Sequence, residues 1–255
     1  MKHTSDETVV REKMKITFQY RQAMVHSPEK SLDVLDMFPR FLDTPGLIEQ
    51  DFLLLFGEEI SGKFLAKWPT YFKQRVINDS KGLSSSHHIE ELIKDAQREP
   101  GDDSTGWDSD ISALLLLLYL LPPTPKGHKK AAKISPLQAA DHVVRFLRMG
   151  TSIPMFLEKV GSAQPFLLCI GENTKSIQRF FIIVDMKPIP CKAPTTVAAF
   201  DELFKAHFVF STSYHESLAN FYMFIQTAVY NIDAGTSKER PRVRELRARF
   251  LSGKE

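Results

Sequence analysis

The chain has 255 residues, a net charge of +2, and 43% apolar and 25% charged residues, an ordinary globular composition long enough to bury a core without staples. The near-balance of 33 basic against 31 acidic residues argues against a global nucleic-acid footprint and leaves only a local basic patch open. Two cysteines exclude a disulfide framework, and the longest apolar run, Ile111 to Leu121, is 11 residues where a membrane span needs roughly 20.

The opening MKHTSDETVVREKMK lacks the apolar stretch of a secretory signal. An intracellular chain, cytoplasmic or nuclear and with free thiols, is therefore expected. Residues 6 to 26 are predicted as a helix, because Val9, Val10, Met14, Phe18, Arg21 and Val25 recur at three- and four-residue spacing. Ser5 is its expected cap, and Ser27-Pro28 its stop. A short helix over Ser31 to Met37 follows. Another begins at Pro45 after the cap Thr44, with Ile48, Phe52, Leu55 and Phe56 as its stripe. Residues 58 to 77 read as a helix interrupted at Pro69, burying Phe64, Leu65, Trp68, Phe72, Val76 and Ile77. Ile89 to Ala96 closes a first half with no strand signal.

Next comes an acidic loop, and Ser109 is expected to cap a leucine helix in which Leu114, Leu115, Leu117 and Leu118 cover most of the circumference. Ser135-Pro136 opens a further helix, with Leu137, Ala140, Val143, Val144 and Leu147 on one side and Gly150 beyond its end. After a short helix from Ile153 to Val160, three runs carry strand signals: PFLLCI, RFFIIV and IPCK. They read as an antiparallel meander in which Cys169 faces Phe181 and Cys191 faces Ile182. Both cysteines then flank the middle strand about 10 Å apart, beyond disulfide reach. Thr195 or Thr196 caps a helix through Ala206, Phe208 to Phe210 reads as one more short strand, and Ser217 to Ile232 forms a long helix. The expected fold class is α+β: a helical N-terminal half, then a small three-stranded antiparallel sheet packed with helices. The expected division is a helical subdomain over 1–98, an acidic linker over 99–109, and an α+β subdomain over 110–255 built on the leucine helix.

No glycine loop for phosphates, no GxSxG elbow and no metal-ligand spacing occurs. Neither a cofactor nor a metal is expected. The C-terminal segment concentrates Lys238, Arg240, Arg242, Arg244, Arg247 and Arg249 against Glu239 and Glu245. Such cations grip an anionic partner or serve as a solvated helix end. A nucleic-acid reading would add Lys126, Lys129, Lys130 and Lys133. A third reading gathers Asp201, Glu202, His207 and His215 as acid–base groups of a hydrolase or transferase.

Four stretches, FPRFLDTPGLIEQDFLLLFG, WDSDISALLLLLYLLPP, IPCKAPTTVAAFDELFKAHFVFS and NFYMFIQTAVYNIDAG with RVRELRARF, resemble the C-terminal region of the sterile alpha motif domain-containing protein 3-like family. The resemblance runs from about Met37 to Phe250; the sterile alpha motif itself would lie upstream and is expected to be missing here. It implies no catalytic residue or cofactor. Together with the lack of a coherent active-site pattern, it makes a non-catalytic protein-binding or scaffold module the first expectation. Nucleic-acid association through the basic tail is the alternative, and the acid–base reading around His207 and His215 comes after it.

Overall fold

The computed structural model describes residues 6–98, 107–123, 134–160 and 164–253. The fold is α+β, with a helical N-terminal half followed by a four-stranded mixed sheet and helices. Ser5, most of the acidic linker and Lys126, Lys129, Lys130 and Lys133 lie outside the described residues. Two compact units emerge, and each draws on two chain segments: Met1–Ser61 with Val144–Ser213, and Gly62–Val143 with Tyr214–Glu255.

The first unit is organised by the sheet. Its strands are β1 (Val144–Arg148), β2 (Phe166–Gly171), β3 (Ile177–Val184) and β4 (Lys187–Pro190), in the order β1-β2-β3-β4. β1 and β2 run parallel, joined through the helix Ile153–Val160, and the remaining pairs are antiparallel. Alternation sorts the side chains. Phe166, Leu168, Ile170, Phe181 and Ile183 share one face with Leu147 and pack against Leu157 of the connecting helix. The opposite face is covered by the helix Thr196–Val209, which also packs on the helix Leu47–Ser61. Between these two helices Phe208 meets the rings of Phe52 and Phe56 edge-on, at 5.8 and 5.2 Å, an arrangement favoured by the ring quadrupoles.

The meander is present and extends the expected sheet by one parallel strand. Residues Val144–Arg148, expected at the end of a helix, form β1, because the helix opened by Ser135-Pro136 ends at Ala140. The β-branched and aromatic run VVRFL prefers an extended, half-buried surface, and Leu137, expected inside, is exposed. The register also differs. Cys169 pairs with Phe180, because the β2–β3 connection carries an irregularity at Gly171. A Cβ there would lie 2.1 Å from the Ser176 carbonyl oxygen, so only glycine fits. The Cys191 N–H also donates to Phe180 O. Both cysteines thus flank one residue of the middle strand, and no disulfide joins them. Phe208 is helical, not extended, since the Thr196 helix runs on to Val209.

The second unit is built around the leucine helix, Ser109–Leu120, with Leu114, Leu116, Leu117 and Leu118 fully buried. Asp108, not Ser109, is its cap and accepts from the N–H groups of Asp110 and Ile111. The helices Lys73–Ser80 and His87–Ala96 pack on it. Pro69 interrupts its helix as expected: with no N–H to donate, the ladder loosens into a π segment over Trp68–Phe72. Leu65, expected in the core, is exposed. The expected long helix after Ser217 begins at Ala219 and turns into a second π segment at Ile225–Tyr230. Phe64 stacks on both Trp68 and Tyr230, at 5.6 and 6.0 Å.

Candidate functional site

The basic C-terminal segment lies in the second unit. Residues Pro241–Leu251 form an amphipathic helix that buries Val243, Leu246 and Phe250. Three of its arginines are engaged within that unit. Arg242 Nε donates to the Leu120 carbonyl at 2.7 Å, closing the C-terminal end of the leucine helix. Arg247 Nη2 donates to Glu239 Oε2 at 2.9 Å, and Arg249 lies 2.7 Å from Asp79. Arg244 makes only a long bond, 3.4 Å, to the Glu239 carbonyl. Lys238 is exposed and Arg240 half-buried at the helix start.

The histidine–carboxylate group divides between the units. His207 is fully buried in the first, and burial pushes its imidazole down to about 4, so it is neutral at pH 7. His215 belongs to the second unit. Its Nδ1 lies 2.6 Å from Ser217 Oγ and accepts from the Ser217 N–H, and its ring stacks on His142 at 5.3 Å.

Asp201 and Glu202 instead join a buried charge cluster in the first unit. Lys205 Nζ bridges Asp201, one turn away at 2.6 Å, and Glu49 of the helix Leu47–Ser61. Ser61 Oγ donates to the other Glu49 oxygen. Glu202 accepts from the Lys192 N–H at 3.0 Å, and burial, with the carboxylates of Asp201 and Glu49 beside it, pushes Glu202 up to about 7. The Cys191 thiol is also pushed well above its usual range, by burial first and then by Glu202, the reverse of what a reactive thiolate requires. A second pair, absent from the sequence reading as a pair, is Arg21 with Asp51. Both are 1% exposed, and two guanidinium nitrogens reach the Asp51 oxygens at 2.6 to 3.1 Å. The signal was Arg21 itself, a charge in an otherwise apolar stripe. Its partner, 30 residues on, carries no local mark. Among the described residues no group of three or more His, Cys, Asp or Glu is placed to hold a metal, and no helix is long and apolar enough to cross a membrane.

Several large apolar side chains of the N-terminal segment remain exposed. Helices Glu7–Ile16 and Phe18–Val25 sit end to end across Thr17 and turn Val10, Met14, Phe18, Arg21 and Val25 inward. Val9, expected with them, is exposed. On the outer side Ile16 is 79% exposed and Tyr20, one turn on, 54%. Leu32 and Met37, in the short turns that pack on the second of these helices, are 69% and 52% exposed. Tyr20 touches the ring of Phe38, next to Met37, at 6.2 Å. Arg21 is fixed from beneath by Asp51 and by the rings of Phe38 and Phe41. The face is therefore carried on a rigid support.

The family model described as Sterile alpha motif domain-containing protein 3, helical domain, matches residues 1–44. The chain is similar to that family over the segment that bears the exposed face. The match overlaps the stretch of resemblance from Met37 onward only at its start. No curated protein and no solved structure matches the chain.

Proposed function

We propose that this chain is a non-catalytic protein-binding module that docks partners on the outer face of its N-terminal helices. The observation that carries this reading is the exposure of Ile16, Tyr20, Leu32 and Met37 within one short segment whose opposite side is fully packed. Large apolar side chains gathered on a supported surface cost solvation free energy in the free protein, and a partner removes that cost. The charged groups suited to chemistry support the same reading, because they are engaged elsewhere: Lys205 with Glu49 and Asp201, Arg21 with Asp51. An intracellular setting belongs to the proposal.

The test is affinity purification from cells with wild-type chain and an Ile16→Glu, Tyr20→Glu double variant. Specific partners held by the wild type and lost by the variant are expected. Identical partner sets would overturn the assignment of the face. The alternative, a nucleic-acid-associated protein, has weaker support, since Arg242, Arg247 and Arg249 are committed within their own unit.

A further inference from the structure

We infer that Glu202 operates a proton-controlled latch on the helix Leu47–Ser61. Protonated, it leaves Lys205 to hold Glu49, and Glu49 to hold the chain folded back at Gly57; ionised, it draws Lys205 away and lets the fold-back open. The geometry begins at Gly57, which breaks the helix with φ 81° and ψ 169°, a backbone region essentially reserved to glycine. A Cβ there would meet nothing within 4 Å, so the glycine serves the course of the chain and not a close approach. Ser61 follows Glu49 by 12 residues, which a continuous helix would set about 18 Å apart. Yet Ser61 Oγ donates to Glu49 Oε1 at 2.5 Å. The residues after Gly57 therefore turn back along the helix, and Ser61 is buried in the contact. The other Glu49 oxygen pairs with Lys205, which also holds Asp201 at 2.6 Å. One carboxylate thus closes the fold-back and ties it to the helix Thr196–Val209.

Glu202 is the neighbour that can undo this. Around it stand Asp201 and Lys205 of its own helix, Glu49 opposite, and the Lys192 N–H and Cys191 thiol just beyond β4. The sheet face behind adds the buried Cys169. Ionised, Glu202 makes a third carboxylate for one lysine in a site shielded from water, where like charges repel strongly. Glu202 itself is held by the Lys192 N–H at 3.0 Å, a bond that strengthens when the carboxyl ionises. Asp201 and Lys205 are 3% and 2% exposed, but Glu49 is 37% exposed. Glu49 is therefore the group that yields to water, and its departure removes the acceptor of Ser61. Glu202 titrates near 7, raised by burial and by the two carboxylates. A raised carboxyl favours the latched form at low pH, and latching is lost as pH rises to about 7.

The experiment is backbone hydrogen exchange of the full chain between about pH 5.5 and about pH 8.5, read at the amides of residues 58–61 and corrected for the intrinsic pH dependence of exchange. His207 titrates at about 4, below that range. Wild type should lose protection roughly tenfold with rising pH and level off above about pH 7, one proton allowing at most about a decade per pH unit. Glu202→Gln keeps an acceptor for the Lys192 N–H and cannot ionise, so its protection should stay at the acid-side value throughout. Ser61→Ala cuts the latch itself and should give low protection at both ends of the range, with no step. Amides of β2 and β3, in the same unit, report global opening and should stay more protected than residues 58–61. A flat wild-type profile, a step that survives Glu202→Gln, or wild-type protection in Ser61→Ala would overturn the proposal. So would profiles at residues 58–61 that coincide with those of β2 and β3, since the fold-back would then open only with the whole unit.

Discussion

Arg21 and Glu202 show how one residue's surroundings decide its worth. Burying a charged pair costs several kcal/mol of solvation, which the mutual attraction returns only when hydrogen bonds are well formed. Arg21 and Asp51 meet that condition, yet burial still outweighs the guanidinium and holds Asp51 up at about 6. Removing one partner strands the other. Arg21→Met or Asp51→Leu alone should therefore cost about 3–5 kcal/mol in urea unfolding, while the double replacement should cost far less; equal costs in all three variants would mean that the pair is not the source. Glu202 makes a pH prediction. Its carboxyl titrates near 7 in the folded chain against 4.5 when free, so between those values the folded state binds the proton more tightly. Its stabilising contribution is complete below about 4.5 and is lost as pH rises through 7. His207 works oppositely: with its pKa lowered from 6.5 to about 4, it costs stability as pH falls through that window. The wild-type profile blends both, and Glu202→Gln isolates one. Relative to wild type, the variant should gain roughly 1–3 kcal/mol between pH 4.5 and 8, and parallel profiles would show that Glu202 does not carry the effect. Arg21 was legible as an oddity in an apolar stripe. Glu202 was legible as a candidate acid, but not as a member of a lysine-centred cluster, because Glu49 stands 156 residues from Lys205.

At the scale of elements, period and length did most of the work. A helix apolar all round must be buried, and the leucine helix is. Leu117 is 0% exposed. Leu117→Ala should cost about 2–5 kcal/mol through the cavity it leaves. Leu117→Asp should unfold the second unit, since a lone buried carboxylate has no partner there. A soluble Asp variant with an unchanged melting transition would contradict the placement. Where the reading of elements failed, local chemistry was ambiguous. Val143, Val144 and Leu147 fit a helical stripe, and Val144, Phe146 and Arg148 fit the alternation of one strand face equally well. Only the presence of β2 as a parallel neighbour decides between them, and that is a tertiary fact. The cysteine register moved by the irregularity at Gly171, a close-approach requirement that a lone glycine in a sequence cannot announce.

For the whole molecule, the decisive matter is which charges remain available once each unit has folded. Six cations in the C-terminal segment read from the sequence as one site, because sequence shows density and hides pairing. After folding, Arg242 holds a helix end, Arg247 holds Glu239 and Arg249 holds Asp79. Lys238, Arg240 and Arg244 are left with weak engagement or none in that segment. Counterion release turns this into a measurable slope. A protein neutralising Z phosphates of a duplex shows log K falling with log salt at about −0.9Z. Three cations give a slope no steeper than about −3, while all six would give about −5. With so small an electrostatic term, saturable binding of a mixed-sequence duplex is not expected near 0.15 M salt, where non-specific affinities sit at about 10⁻⁴ M or weaker for so few contacts. Fluorescence anisotropy of a labelled duplex against a salt series measures both quantities. Binding that persists at that salt with a slope near −5 would mean that the internal pairs open to the ligand. It would then favour the basic helix, and not the apolar N-terminal face, as the working surface of the chain.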